Sequence, residues 1–258
     1  VHRIRHYTLI FFFSLMSIQL SEGNDFCITN NFSFQAGEVI TYKVFYNVIG
    51  LYVDAGTASF TVSNTRLNNT PAYHIVGLGT SNPSYDWIFR VRDRYETYID
   101  TASLKPMRFG GKDELVNFFH DEQKAISTKG TYPINACMQD VLSSIYFARN
   151  IDFSQYKIGD KIPFSMFLDD QVHNIYIRFL GKEVIKTRYG KFNAIKFKPM
   201  LIRGTIFEGG ELMTVWVSND FNRIPLRIES PITVGSVKVD MMGYRNLRYP
   251  LRSMMKFN

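Results

Sequence analysis

The sequence predicts an all-β fold with one short amphipathic helix, built as a strongly curved antiparallel sheet or as an incomplete or closed β-barrel. Three observations carry this reading. Apolar and polar residues alternate with period two along most of the 258 residues, as they do on half-buried strands. The alternating runs are rich in Val, Ile, Phe, Tyr and Thr and are punctuated by Gly and Asn turns at strand-length intervals. One segment, between residues 135 and 150, changes to a helical period.

The chain opens VHRIRHYTLIFFFSLMSIQLSEG, which places Arg3 and Arg5 ahead of an apolar run from Tyr7 to Leu20 that gives way to small and polar residues. That is the order of a secretory signal peptide, and the run is shorter than the roughly 20 apolar residues a bilayer span needs. Ser21 and Gly23 form a small-x-small pattern, so residues 1–23 are expected to be removed and residues 24–258 to form one β-rich exported domain. Loss of Arg3, Arg5 and Glu22 takes 30 basic and 23 acidic residues to 28 and 22, and the net charge from +7 to +6. The basic residues are dispersed, with no dense Lys/Arg run, which argues against a nucleic-acid partner and is compatible with weak attraction to anionic ligands. No later run approaches a membrane span, so no transmembrane segment is expected in the mature chain.

Strands follow. EVITYKVFYNVIG puts Ile40, Tyr42, Val44, Tyr46 and Val48 on one face, and TASFTVSN puts Ala58, Phe60 and Val62 on one face. LNNTP is a turn, AYHIVGLGT is the next strand, and SYDWIFRVRDRYETYID from Ser84 to Asp100 reads as one long strand. Its odd positions, Trp87, Phe89, Val91, Asp93, Tyr95, Thr97 and Ile99, form an apolar face with a carboxylate in its middle. Its even positions carry Arg90, Arg92 and Arg94, spaced about 6.7 Å apart. A lone buried carboxylate is costly, so Asp93 is expected to lock strand register through an ion pair or hydrogen bonds. The arginine row could grip phosphates or carboxylates, or pair with acids on neighbouring strands.

In NACMQDVLSSIYFARN the apolar residues Met138, Val141, Leu142, Ile145 and Tyr146 recur at helical spacing, which predicts a helix over 138–149. A lone helix in a β protein plugs a barrel mouth, crosses a concave sheet or lies outside as a connector. HNIYIRFLGKEVIKTRYGKFNAIKFKPML reads as three strands broken at Gly181 and at Tyr189-Gly190, and GGELMTVWVSND, RIPLRIESP and GSVKVDMMGYRNL complete the β pattern.

Catalytic signatures are missing from the sequence. His74, His120 and His173 sit in separate segments without metal-binding spacing, so no metal and no cofactor is expected. No GxSxG elbow, P-loop or dinucleotide fingerprint occurs. Asp169-Asp170 and Glu208 with Glu211 are the closest carboxylate pairs, but the first reads as a turn and the second lies beside Gly209-Gly210. Cys27 and Cys137 are the only cysteines; a bridge between them would be worth up to roughly 4 to 5 kcal/mol by chain entropy, and the sequence leaves the pairing open. Asn24, Asp25 and Phe26 are too large to precede a lipidated cysteine.

The motifs together resemble an exported bacterial family, the domain of unknown function 3108. The resemblance runs over nearly the whole mature chain. It rests on Gly37-Glu38 with Tyr42 and Tyr46, on Ala55-Gly56, on Tyr85-Asp86-Trp87 through Arg92-Asp93 and Tyr95 to Tyr98-Ile99-Asp100, and on Asp140-Val141-Leu142-Ser143 with Tyr146 and Arg149. Gly181-Lys182-Glu183, Gly190-Lys191-Phe192, Trp216-Val217-Ser218 with Asp220 and Pro225, and Gly235-Ser236-Val237-Lys238 extend it. The family pattern often has a cysteine after Gly-Lys-Phe, where this chain has Ala194. The resemblance implies an exported β-rich fold and supplies no activity. Trp216, Asp220 and Pro225 to Glu229 are also similar to the ending of periplasmic lipoprotein-carrier sheets, a likeness at the level of fold.

These readings converge on a non-enzymatic envelope protein that binds a lipid, a glycolipid or another anionic amphiphile in an aromatic-lined concavity. Trp87, Phe89, Tyr95 and Trp216 are expected to line it, with Arg90, Arg92 and Arg94 near the head group. An assembly module that meets another envelope protein is the alternative, and a glycan hydrolase built from dispersed acids a third.

Overall fold

The structure, a computed structural model, describes residues 27, 30–48, 50–86, 90–203, 209–232 and 235–255. The expected signal peptide lies outside them, as do Trp87, Phe89 and Glu208. The described strands are β1 (Val39–Val48), β2 (Leu51–Leu67), β3 (Thr70–Ser81), β4 (Arg92–Asp100), β5 (Pro106–Gly110), β6 (Leu115–Phe119), β7 (Lys124–Ser127) and β8 (Thr131–Pro133). After the helix α1 (Val141–Arg149) come β9 (Lys161–Leu168), β10 (Gln171–Lys186), β11 (Lys191–Pro199), β12 (Thr214–Ser218), β13 (Pro225–Pro231) and β14 (Ser236–Arg245).

All fourteen join one sheet in the order β8-β7-β6-β5-β4-β3-β2-β1-β14-β13-β12-β11-β10-β9. Neighbours are consecutive in sequence except β1 and β14, which pair antiparallel from Val39↔Arg245 to Asn47↔Ser236. The sheet therefore curls into an incomplete barrel whose two edges, β8 and β9, flank the helix in sequence. The segment between β8 and α1 bridges the seam: Gln139 N–H donates to Ser165 O (2.9 Å) and Phe167 N–H to Gln139 O (2.8 Å). Asp170 in the β9–β10 turn adds a contact from the other side, pairing with Lys129 Nζ at 2.9 Å and accepting from Ser127.

Bulges between Thr41 and Tyr42, between Val44 and Phe45, and between Phe179 and Gly181 supply curvature. The last corrects the sequence reading. Gly181 does not end a strand; with φ +99° it bends one continuous β10, a conformation that a side chain would strain. The run from Ser84 to Asp100 is likewise not one strand: Pro83–Tyr85 form a 3₁₀ turn capped by Asn82, and β4 starts at Arg92. Asn68-Asn69 and Asp169-Asp170, both at positive φ (50°, 66° and 51°, 60°), make the two-residue hairpin turns their residue types favour.

The helix is a peg inside the barrel. It starts at Val141, three residues later than its apolar stripe suggests, because Asp140 caps it: Ser143 N–H donates to Asp140 Oδ1 and Asp140 N–H to Ser143 Oγ, both at 2.8 Å. Leu142 packs with Phe109, Val116 and Phe118, Tyr146 with Phe34, Val62, Ile75 and Ile99, and Phe147 with Ile162 and Phe164. Each such side chain contributes roughly 1.5–3 kcal/mol of hydrophobic stabilisation. A Cys27–Cys137 disulfide, with Cα atoms 5.3 Å apart, ties the N-terminal segment to the residues ahead of the helix.

Strand direction gives the barrel two ends. The links β2–β3, β4–β5, β6–β7, β10–β11 and β12–β13, the N-terminal segment and the C-terminal tail gather at one end, which the helix C-terminus seals. Arg149 there reaches Ser33 O and Asn222 O, Asn222 reaches Tyr249 O, and Arg248 reaches Asn31 O. The remaining links lie at the far end.

Candidate concavity and buried polar core

Two interior features could serve function: a graded wall toward the far end and a charged core toward the helix end. The wall follows from alternation. Ile40, Tyr42, Met241, Leu226, Val62, Ile75 and Ile99 are buried near the helix end, whereas the residues two or four positions further along the same faces, Val44, Val239, Ile228, Ala58 and Gly79, are only half-buried. Two glycines of β3 mark the level at which filling stops. A Cβ at Gly77 would meet Phe60 at 3.1 Å and Leu142 of the helix at 3.3 Å. At Gly79, one interior position nearer the far end, the nearest described atom is Val91 Cγ1 at 3.5 Å. Leu142 thus stands as a floor beneath the less crowded interior at Gly79.

Asp93 and Tyr95 face this space. They pair with Gly79 and Gly77, and Tyr95 is 38% exposed while Thr97 and Ile99 below it are buried. Burial, aided by the charges of Asp93, Asp113 and Glu114, raises the Tyr95 pKa. Asp93 has no ion pair or hydrogen bond to a described residue, and Gly79 opposite it leaves room.

Arg92 and Arg94 lie on the outer face and are occupied. Arg92 Nη2 bonds Asp86 Oδ2 (2.7 Å) and its Nη1 bonds Ser81 O (3.1 Å). Arg94 Nη2 bonds Glu96 Oε2 (2.9 Å), which also binds His74 Nε2 at 3.0 Å. Arg90 precedes the strand and is exposed. Trp216, on β12, is six places from β4 in the sheet, so the structure does not bring it together with Tyr95. Its ring is 8% exposed, its Nε1 donates to Glu183 Oε1 (2.5 Å), and Lys196 Nζ lies 5.4 Å from the ring centre. Glu211 is held by Arg178 and Tyr176, whose hydrogen bonds pull its pKa down to about 2. Among the described residues no group of three or more His, Cys, Asp or Glu side chains is placed to hold a metal.

The charged core was legible only as motif letters. Arg149, in the last turn of the helix, is 2% exposed and makes a bidentate pair with the fully buried Glu38 (Nη1–Oε1 2.6 Å, Nη2–Oε2 2.8 Å). Its guanidinium lies 5.0 Å from the Tyr146 ring centre and 5.6 Å from that of Phe34. Burial acts to lower the Arg149 pKa, but the charge and hydrogen bonds of Glu38, with Tyr146 and Tyr42, outweigh it and hold the guanidinium ionised. At the other end of the helix, burial raises Asp140 to about 6 against the hydrogen bonds from Thr97 and Ser143.

The family model described as Protein of unknown function (DUF3108) matches residues 41–242. The chain belongs to this family. Asp140, Tyr146 and Arg149 of the DUF3108 match converge on the helix, and Glu38 lies just ahead of the matched span. No curated protein matches the DUF3108 chain. Among solved structures it is similar to a beta-barrel-like protein of domain of unknown function DUF1849 from Brucella abortus, at 9% identity and TM-score 0.53, over 83% of this chain and 99% of that one. That likeness supports the barrel-like fold. A protein described as exported, with a YmcC-like fold, from Bacteroides fragilis (13% identity, TM-score 0.37, 85% and 100% covered) and one described as a lipoprotein from Parabacteroides distasonis (16%, 0.38, 86% and 100%) also match.

Proposed function

We propose that this DUF3108 protein is an exported, non-enzymatic envelope protein that holds the apolar part of an amphiphile in the concavity above Leu142. The reading is carried by one observation: Val44, Ala58, Gly79, Ile228 and Val239 toward the far end are half-buried where their neighbours at the helix end are buried, and Gly79 is less crowded than Gly77. A largely apolar wall above a fixed floor offers contact area to a flexible chain, with Asp93 and Tyr95 as the polar groups that face it. The rim agrees. Leu51 (72% exposed), Tyr52 (47%) and Leu212 (40%) stand in or beside links at that end. Such a rim would rest against a membrane while an acyl chain passes from it.

The test is organic extraction of protein purified from an expressing cell envelope, followed by mass spectrometry and displacement of a fluorescent fatty acid. A bound amphiphile and saturable displacement are expected, and Gly79→Leu, which fills the space, should abolish displacement with little change in the unfolding midpoint. Protein that extracts empty and shows no saturable displacement would sink the reading.

A further inference from the structure

The cations best placed to bind an anion are not those of β4. Phe45, Tyr52, Lys238, Arg227 and Asp240 share the outer face of β1, β2, β13 and β14, where Phe45 pairs with Lys238 and Arg227 with Asp240 in register. The turn of the long β10–β11 hairpin folds onto this face and sets Arg188 over the Phe45 ring, 4.2 Å from its centre. Between hairpin and sheet lies a groove of about 480 Å³ lined by Phe45, Tyr52, Lys186, Thr187, Arg188, Arg227, Lys238 and Asp240.

Its charge is one-sided. Four cations face one acid, and both oxygens of Asp240, itself 1% exposed, are taken by Arg227 at 2.6 and 2.8 Å. Lys238 shares Glu229 at 3.2 Å and lies 5.2 Å from the Tyr52 ring centre. Lys186 and Arg188 have no carboxylate within ion-pair distance among the described residues. A concave site with two unneutralised cations and a third only partly neutralised concentrates field on a multiply charged oxyanion, and the guanidinium fork of Arg188 suits phosphate geometry. Exposed Tyr52 offers an apolar surface to the group that carries it. We propose that this groove binds a phosphomonoester, on the opposite side of the sheet from the interior concavity and independently of it.

Titration of the full chain with glycerol phosphate, and with phosphatidylcholine vesicles with and without phosphatidic acid, tests this, read by calorimetry and by vesicle co-sedimentation. Saturable binding that weakens with salt is expected, together with a loss of about tenfold or more in the Lys186→Gln/Arg188→Gln double variant and none in Arg90→Gln. Binding of glycerol phosphate identifies a soluble phosphomonoester as sufficient, and binding only of phosphatidic acid vesicles identifies a lipid head group. Both substitutions are at exposed positions, so circular dichroism should show a folded double variant. No binding of any probe, or binding that the double variant leaves unchanged, overturns the proposal.

Discussion

Arg149 and Glu38 carry more of the fold than their number suggests. A bidentate ion pair removed from water is stable only as a pair, because deleting one partner strands the other charge in a medium that cannot solvate it. Arg149→Ala or Glu38→Ala is therefore expected to cost about 3–5 kcal/mol in urea unfolding, whereas Arg149→Met combined with Glu38→Leu should recover much of that loss. Asp140 gives a pH signature. Its folded pKa, about 6, lies above the ordinary 3.8, so the folded state holds the proton more tightly than the unfolded state does. Its contribution is complete below the unfolded value and is lost as pH rises through about 6, an effect of about 3 kcal/mol at roughly 1.4 kcal/mol per unit. Asp140→Asn keeps a competent cap, so the variant's stability relative to the parent should grow between pH 4 and 7; an unchanged difference would count against a buried, raised carboxyl. None of these three residues was singled out by chemical reasoning on the sequence. Asp140 and Arg149 sit within a helical pattern, and Glu38 sits next to a turn glycine, so only the family motif drew attention to them. The arginine row shows the reverse: its spacing was readable, as was Glu96 two places along the same face of β4, but Asp86 could be known as a partner only once the β3–β4 link was in place.

At the scale of elements, the helix and β3 are fitted to each other. Gly77 lets Leu142 approach the sheet, so Gly77→Leu should destabilise by about 1–3 kcal/mol through overpacking, while Gly79→Leu, where a Cβ would meet only Val91 at an ordinary 3.5 Å, should cost less. Comparing their unfolding midpoints checks the position of the floor independently of any ligand. Strands with clean alternation, β1 to β3 and β10 to β14, were legible, as were the helix and the Asn68-Asn69 turn. Three failures have physical causes. A glycine in a strand is the same letter whether it ends the strand or bends it, and only the pairing across Phe179 and Gly181 separates the two. β5 to β8 are three to five residues long, too short for alternation to stand out, and their identity comes from neighbours already in place. The interior face of β4 was readable from parity, but not its start, because Pro83 to Tyr85 spend three residues in a 3₁₀ turn.

For the whole molecule, the disulfide spans 110 residues and joins the N-terminal segment to the bridge across the seam. Reduction should lower stability by up to about 4–5 kcal/mol on the chain-entropy argument, visible as a drop in melting temperature on adding dithiothreitol. A Cys27→Ser/Cys137→Ser variant should melt at the reduced protein's temperature and no longer respond to the reductant. The curved sheet itself was foreseeable from the number of alternating runs, but the joining of its two halves was not, because nothing local in β1 or β14 announces that each is the other's neighbour. That pairing bears on how the chain is made. A ribosome releases β1 before β14, so the growing chain keeps a hydrogen-bonding edge of β1 unsatisfied until β14 has emerged. Contacts this distant in sequence form slowly, and an edge left bare in the meantime is a template for pairing with the wrong strand. Assembly of this barrel therefore waits for β14, and a holding chaperone that shields β1 should raise the yield of folded protein more than one that acts on the helix.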